Sequence, residues 1–417
     1  MKEVKVVIGK NFGDEGKGGT VHRLCKGKNA IVVRHNGGAQ AGHTVEEGTF
    51  RFVFHQLGSG SLQGCHTFWS HSFLPDLLKL DEEVEDLQEA MRRSSLQVPV
   101  GMMRIYAHPE CATTIIYDVL LNSLVETLRS TAKHGSCGMG IYEATLRTKE
   151  EAYTIRMKDF AQGSLEEILA KMKRIRGEYT AQRLQKLKED FGEALLQPEV
   201  LEWIELIEDD NVLYNATEQM WENFHKYVEL KDWKQVKEEY ETIVFENAQG
   251  LMLDMENEEY YPHLTPSHTG LYNIVKLFED SANEDAGQPY ALEIAYVTRT
   301  YVTRHGAGRL DYECPKEEIN PHMIDRTNVP NCWQDTLRYA KHPKKEEFWK
   351  YIKKDLQHLE DNSSFASVSP MIYINHLDET GDKVLFADGD MDIKEFETFC
   401  LEQGVGLVVN RVNTKVL

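Results

Sequence analysis

The chain has no apolar run long enough to span a bilayer, which excludes a membrane-spanning helix. It also lacks an excess of basic residues. Its 47 Lys and Arg face 68 Asp and Glu, for a formal net charge of −21. Phosphate backbones select Lys and Arg, so this balance argues against nucleic acid or an anionic membrane as a partner. The seven cysteines form no CxxC pair, and an odd count points to reduced thiols in a cytosol rather than a disulfide framework. The N-terminus enters a strand pattern almost at once, so no signal peptide is expected and the expected location is cytoplasmic. Repeats and low-complexity linkers are absent as well. At 417 residues the chain exceeds the usual size of one domain, but large α/β enzymes fold as single units, and 1–417 is expected to be one.

Apolar strands alternate with helical stretches over the first ~120 residues, with strands expected at 4–9, 30–34 and 104–107 and a helix at about 75–93. Such alternation favours a parallel sheet. Residues 165–240 change character: they are rich in Glu, Lys, Leu and Trp, hold almost no Gly, and read as three or four helices. The sheet pattern returns at 242–245, 291–296, 371–374 and 406–409. The expected fold class is therefore α/β, with a large, mostly parallel central sheet, flanking helices, and a helical insertion at 165–240.

Two glycine-rich segments follow the first two strands. The first is Gly13-Asp14-Glu15-Gly16-Lys17-Gly18, with a helix expected to start near Lys17. Glycines let backbone N–H groups close on an anion, and a helix N-terminus adds a favourable dipole. The segment reads as a phosphate cradle, yet it is not a Walker A motif. Asn11 stands where that motif needs glycine, and Gly18 where it needs the Ser or Thr that holds Mg²⁺. Asp14 is the replacement metal ligand. The second segment, His35-Asn36-Gly37-Gly38-Ala39-Gln40-Ala41-Gly42-His43-Thr44, ends in a histidine and a hydroxyl. Both lie at the carboxyl edge of one parallel sheet if their strands share it, which is where open α/β folds bind ligands. A carboxylate and a histidine meeting there supply the parts for proton transfer near neutral pH.

These segments resemble the opening of the adenylosuccinate synthetase family, whose members join aspartate to IMP using GTP. That family's Gly-Asp-Glu-Gly-Lys-Gly loop and Gly-Gly-x-Asn-Ala-Gly-His-Thr block stand here as 13–18 and 37–44. Phe245-Glu246-Asn247-Ala248-Gln249-Gly250-Leu251-Met252-Leu253-Asp254 is similar to its Glu-Gly-Ala-Gln-Gly-x-x-Leu-Asp segment. Tyr261-Pro262-His263-Leu264-Thr265 is similar to Tyr-Pro-x-x-Thr, Thr303-Arg304-His305-Gly306-Ala307-Gly308 to Thr-Arg-Val-Gly-Ala-Gly, and Trp333-Gln334-Asp335-Thr336 to Trp-Leu-Asp-Thr. The blocks follow the family's order over nearly the whole chain.

The resemblance implies a P-loop-like C–N ligase of purine metabolism, with Asp14, His43 and Lys17 as the catalytic set. It implies nucleotide and phosphate contacts from Gly13, Glu15, Gly16, Gly18, Gly42, Thr44 and Asp378, the last in Asn375-His376-Leu377-Asp378, where the family's Asp reads guanine. The acceptor purine nucleotide would be held by Gln40, Ser136, Gln249, Thr265 and Arg304. Mg²⁺ would sit on Asp14 and the Gly42 carbonyl. A homodimer is implied too, with an arginine crossing into the partner's site, for which Arg147 and Arg156 are the candidates.

The departures fall at the other end of the site. The family's arginine-rich loop, which holds the aspartate carboxylates, stands here as 325–332 with one arginine, and the lysine after the first loop is Gly19. Bidentate arginine is the usual reader of a carboxylate. The amine is therefore open between aspartate and another amino acid, and the donor between GTP and ATP. Two alternatives stand beside the first reading: the same chemistry on a different nucleotide and amine pair, and a nucleotide-binding sensor or assembly subunit without ligase activity. Ser267-His268-Thr269 is not a catalytic triad, because adjacent residues do not make one, and His263, His268 and Asp254 lack a metal-binding spacing.

Overall fold

The computed structural model describes residues 2–94, 103–129, 138–281, 290–322, 337–360, 362 and 364–410. Within them the strands, in chain order, are β1 (Glu3–Gly9), β2 (Ala30–Arg34), β3 (His43–Glu47), β4 (Phe50–Phe54), β5 (His66–Trp69), β6 (Ile105–Ala107), β7 (Val228–Leu230) and β8 (Thr242–Gly250). They continue with β9 (Tyr290–Arg299), β10 (Val302–Arg304), β11 (Glu313–Cys314), β12 (Arg338–Ala340), β13 (Phe365–Asn375), β14 (Lys383–Val384), β15 (Met391–Asp392) and β16 (Gly406–Val409).

Nine of these strands form one sheet in the order β16-β13-β9-β1-β8-β2-β5-β6-β7. Every neighbouring pair is parallel. The reason is visible in β1, β2 and β8, which are buried along nearly their whole lengths. A sheet covered on both faces takes unbroken apolar strands rather than alternating ones. Val4, Val6, Ile8, Ile31 and Val33 face a core that holds Trp233, Phe245 and Phe278. Val7, Val32, Val244 and Val297 face the opposite layer, against Val21 and Cys25 of the helix α1 (Lys17–Cys25).

Each strand expected from the sequence is present. The helix expected at about 75–93 starts later, at Leu80–Ser94, because Asp76 caps a separate short turn at Leu77–Lys79 by accepting the Leu78 N–H. The sheet also takes in β5 and β7, strands of four and three residues that the sequence pattern did not mark. In 165–240 the helices Leu165–Ile175, Ala181–Phe191, Pro198–Glu208 and Asp210–Tyr227 share one core with Trp69, Phe73 and Leu77 of the α/β body. The same stretch then returns to the sheet as β7, and Trp233 and Val236 of the helix Trp233–Glu239 enter the sheet's own core. No described helix is long and apolar enough to cross a membrane.

Candidate active site

The strands β1 and β2 both run parallel to β8, one on each side of it, so the loops that leave them emerge at the same edge. Gly13 and Gly16 have φ of 117° and 88°, a region L side chains avoid. A Cβ on Gly13 would also lie 3.0 Å from the Gln249 backbone. The chain then enters α1 at Lys17, as expected, with Gly16 as N-cap and no side-chain cap bond. That leaves the first-turn N–H groups without a side-chain cap, with the helix dipole behind them.

Distant side chains hold this loop in place. Arg299 Nε donates to the Asp14 carbonyl at 2.5 Å, Asn375 Nδ2 to the Glu15 carbonyl at 2.6 Å, and Asn11 Nδ2 to Thr298 Oγ1 at 3.0 Å. Lys17 is buried and folds back to donate to the Gly13 carbonyl at 2.6 Å. Burial lowers its pKa, while Glu15 and Asp14 oppose that shift. Glu15 is not turned toward a phosphate. Its buried carboxylate accepts the Asn11 N–H at 2.8 Å, and burial raises its pKa. A phosphate contact at this position would come from its backbone.

The second loop packs onto the first at Gly18. A Cβ there would lie 2.7 Å from the Thr44 carbonyl oxygen and 2.9 Å from the His43 carbonyl carbon. His43 is the first residue of a hairpin, β3 against β4, rather than the end of a turn. Its Nδ1 is 2.7 Å from Glu246 Oε1 and 3.1 Å from Arg34 Nη1. Burial of Glu246 alone would raise its pKa, but His43, Arg34 and Ser59 outweigh that and hold it near 2. Burial lowers the pKa of His43 to about 4. The Nε2 of His43 is buried with no hydrogen-bond partner among the described residues. The amide oxygen Oε1 of Gln40 is likewise buried and unpartnered.

Asp14 is the open acid of the group, its side chain 30% exposed, with His305 Nε2 3.7 Å from its Oδ2. Gly42 is exposed at the head of β3. A carboxylate and a carbonyl are hard oxygen donors of the kind Mg²⁺ takes, so the donor types of Asp14 and Gly42 suit that ion.

The remaining expected residues divide. Gln249, the last residue but one of β8, has a φ of 63° and backs the glycine loop. Thr265 is half-buried, its N–H donating to the Leu253 carbonyl at 2.9 Å. Asp378 is exposed, just past the β13 end that Asn375 ties to the loop. Arg304 is buried. Its guanidinium donates to the carbonyls of Arg309 at 2.6 Å and His263 at 3.1 Å and lies over the Phe12 ring at 4.6 Å, while its Nε has no partner among the described residues. Arg147 cannot reach a partner subunit. It is fully buried, bidentate to Asp118 at 2.7 and 2.9 Å. Arg156 pairs with Glu151 at 2.6 Å and lines a cavity of about 780 Å³ together with Gly37, Ser72, His108 and Ser267. Ser136, the 325–332 loop and the 333–336 block lie outside the described residues.

Local sequence did not single out Glu246, Arg34, Ser59 or His305. Glu246 stands in a recognised block, but nothing near it signals a bond to a histidine 203 positions away. The fold also brings Asp254, Glu256 and His268 ligand atoms within 4.8 Å of one another, which their spacing does not suggest. Asp254 there accepts the Thr269 and Glu256 N–H groups at 2.6 and 3.0 Å, as the cap of a turn.

Comparison with known proteins places the chain in a family. Residues 6–328 match the family model described as adenylosuccinate synthetase. The adenylosuccinate synthetase of Ectopseudomonas mendocina is 30% identical over 309 residues, covering 73% of this chain and 63% of the relative. That of Picrophilus torridus is 26% identical over 322 residues, covering 76% and 66%. The chain thus spans slightly under two thirds of the length of these curated relatives. Among solved structures, a fully ligated adenylosuccinate synthetase from Plasmodium falciparum superposes with a TM-score of 0.58 at 18% identity, over 92% of this chain and 79% of that one. The cyanophage S-2L succinoaminodeoxyadenylate synthetase PurZ, bound to dGMP and dATP, gives 0.56 at 13% identity, over 98% and 93%. Those two likenesses establish the fold, and the extent of the family match establishes the rest: this chain belongs to the adenylosuccinate synthetase family, a family of C–N ligases.

Proposed function

We propose that this protein is an NTP-dependent C–N ligase that activates the 6-oxygen of a purine nucleotide by phosphorylation and replaces it with an amine. One observation carries the reading: the seat of Gly18 on the His43–Thr44 backbone, which joins the phosphate loop to the histidine hairpin at one sheet edge. Asp14 takes the proton from N1 of a 6-oxopurine, and the 6-oxyanion attacks the γ-phosphorus as the β–γ bond breaks. Lys17 and the loop amides hold the phosphates, with Gly13, Gly16 and Gly18 giving them room and Thr44 at the hairpin. His43 offsets charge on the β–γ oxygens. The amine then adds at C6 and phosphate leaves. Positioning and electrostatics provide most of the rate in such a transfer. Asp14 and the Gly42 carbonyl would hold Mg²⁺, which neutralises phosphate charge when bound. Gln40, with its open amide oxygen, and Gln249 and Thr265 would hold the acceptor.

The acceptor is IMP-like and the amine is aspartate or another amino acid, because 325–332 carries a single arginine. The donor is GTP or ATP. Asp378 favours a guanine reader, while the PurZ neighbour with dATP bound keeps adenine open. A cytoplasmic homodimer, folded as one unit with a helical insertion, completes the reading. The test is phosphate release over a panel of nucleotides and amino acids. Turnover that needs both an oxopurine and an amine supports the ligase, and slow hydrolysis indifferent to both supports a sensor. Asp14→Ala should abolish acceptor-dependent release, and full retention would rule out Asp14 as the base.

A further inference from the structure

We propose that Glu246 is the positioning residue of His43: it fixes the imidazole in the Nδ1–H tautomer and aims Nε2 into the cleft. The inference rests on the ligase reading for its catalytic consequence, but not for its geometry.

The His43 Nδ1 has two neighbours, and only one can share its proton. Glu246 Oε1 at 2.7 Å is at charge-assisted hydrogen-bond distance, whereas Arg34 Nη1 at 3.1 Å is longer. If Nδ1 carried its lone pair, it would face a carboxylate oxygen at 2.7 Å, acceptor against acceptor. Nδ1 therefore carries the hydrogen and Glu246 accepts it. Glu246 is itself clamped: Ser59 Oγ donates to Oε1 at 2.5 Å, Ser59 N to Oε2 at 3.0 Å, and Arg34 Nη1 lies 3.6 Å from Oε2. The side chains of Arg34 and Glu246 are both 0% exposed, so the carboxylate cannot exchange these partners for water. The ring's other nitrogen, Nε2, is buried with no partner among the described residues, which leaves it as the nitrogen available to a ligand. A buried carboxylate that orients one imidazole nitrogen while the other does the work is the arrangement that sets tautomers in hydrolytic triads. Here the clamp comes from β2, β8 and the segment before β5, so the histidine's aim is set by the sheet and not by its hairpin.

Glu246→Gln tests this. The amide can accept from Nδ1–H or donate to an Nδ1 lone pair, so the tautomer is no longer fixed. The ¹⁵N spectrum of the His43 imidazole should show a single Nδ1–H tautomer in the wild type and a mixture in the variant. Turnover should fall by about 10²–10³-fold with the KM for NTP little changed. Ser59→Ala removes one clamp bond without touching His43 and should keep the tautomer, with a loss of no more than about tenfold. If Glu246→Gln fails to fold, Glu246→Asp keeps the charge beside Arg34 while withdrawing it from the ring, and should give the same mixed spectrum. An unchanged single tautomer in a folded Glu246 variant overturns the inference, as does wild-type turnover in one. If no ligase activity is found in the wild type, the spectra still decide the positioning role, and only the catalytic reading fails.

Discussion

Adjacent glycines at the start of α1 should respond to the same substitution in opposite ways. An ideal Cβ on Gly18 lies 2.7 Å from the Thr44 carbonyl oxygen, 2.9 Å from the His43 carbonyl carbon and 3.1 Å from His43 Cβ. The first two are backbone atoms, so no rotamer change relieves the overlap. Ordinary carbon contacts need about 3.5 Å or more, and the hairpin must therefore retreat by roughly 0.5–0.8 Å. A Cβ on Gly19 meets only Arg23 Nη1 at 3.5 Å, the far end of a flexible side chain. Both substitutions gain helix propensity, at most ~1 kcal/mol and less in a first turn. That gain cancels in the difference between the variants, which isolates the steric term at about 1–3 kcal/mol. Chemical denaturation of Gly18→Ala and Gly19→Ala should show Gly19→Ala at or slightly above wild-type stability and Gly18→Ala lower by that margin. The same retreat moves His43 from the phosphate loop. A misplacement near 1 Å costs about 10²-fold, so turnover in Gly18→Ala should fall about 10- to 100-fold while Gly19→Ala stays near wild type. Equal stabilities within about 0.5 kcal/mol and equal turnover would refute the claim that this contact joins the two halves of the site.

Arg147→Met should cost about 3–5 kcal/mol by denaturation, because it leaves the buried Asp118 carboxylate without its partner; a loss below ~1 kcal/mol would mean the pair is not structural. Asp355 is buried, accepting Leu271 N–H at 2.7 Å and the Tyr296 hydroxyl at 2.9 Å, and burial raises its pKa from 3.8 to about 7. The stability that follows from this raised pKa is full below about pH 4 and is lost as pH rises through 7. Asp355→Asn has no proton to lose, so its stability relative to wild type should climb by about 3–4 kcal/mol between pH 4 and pH 8, and a flat difference would contradict the shift. Asn375→Ala removes the 2.6 Å tether to the Glu15 carbonyl, which should cost about 1–2 kcal/mol and raise the KM for NTP more than it lowers turnover; an unchanged KM would show that the phosphate loop holds its shape without it.

The sequence alone determined the parts of this protein that depend on short range. Continuous apolar runs in β1, β2 and β8 require a sheet covered on both faces, and that requirement is met within each strand. Gly13 and Gly16 mark positive φ because no other residue adopts it cheaply, and they place a tight turn directly before α1. Asp14, Lys17 and His43 stand out in the sequence for the same reason: each sits in or beside a glycine turn. Tertiary structure decided which distant side chains these residues meet. The order β1-β8-β2 sets Glu246 of β8 beside Arg34 of β2 and His43, and no periodicity within a strand encodes which strand will lie next to it. The same step set the Arg304 guanidinium against the Arg309 and His263 carbonyls and made Arg147 half of a buried ion pair. It also placed His305 against Asp14. Local chemistry wrote the glycine turns and their polar residues into the chain, and strand order, a property of the whole sheet, chose the distant side chains that pack against them.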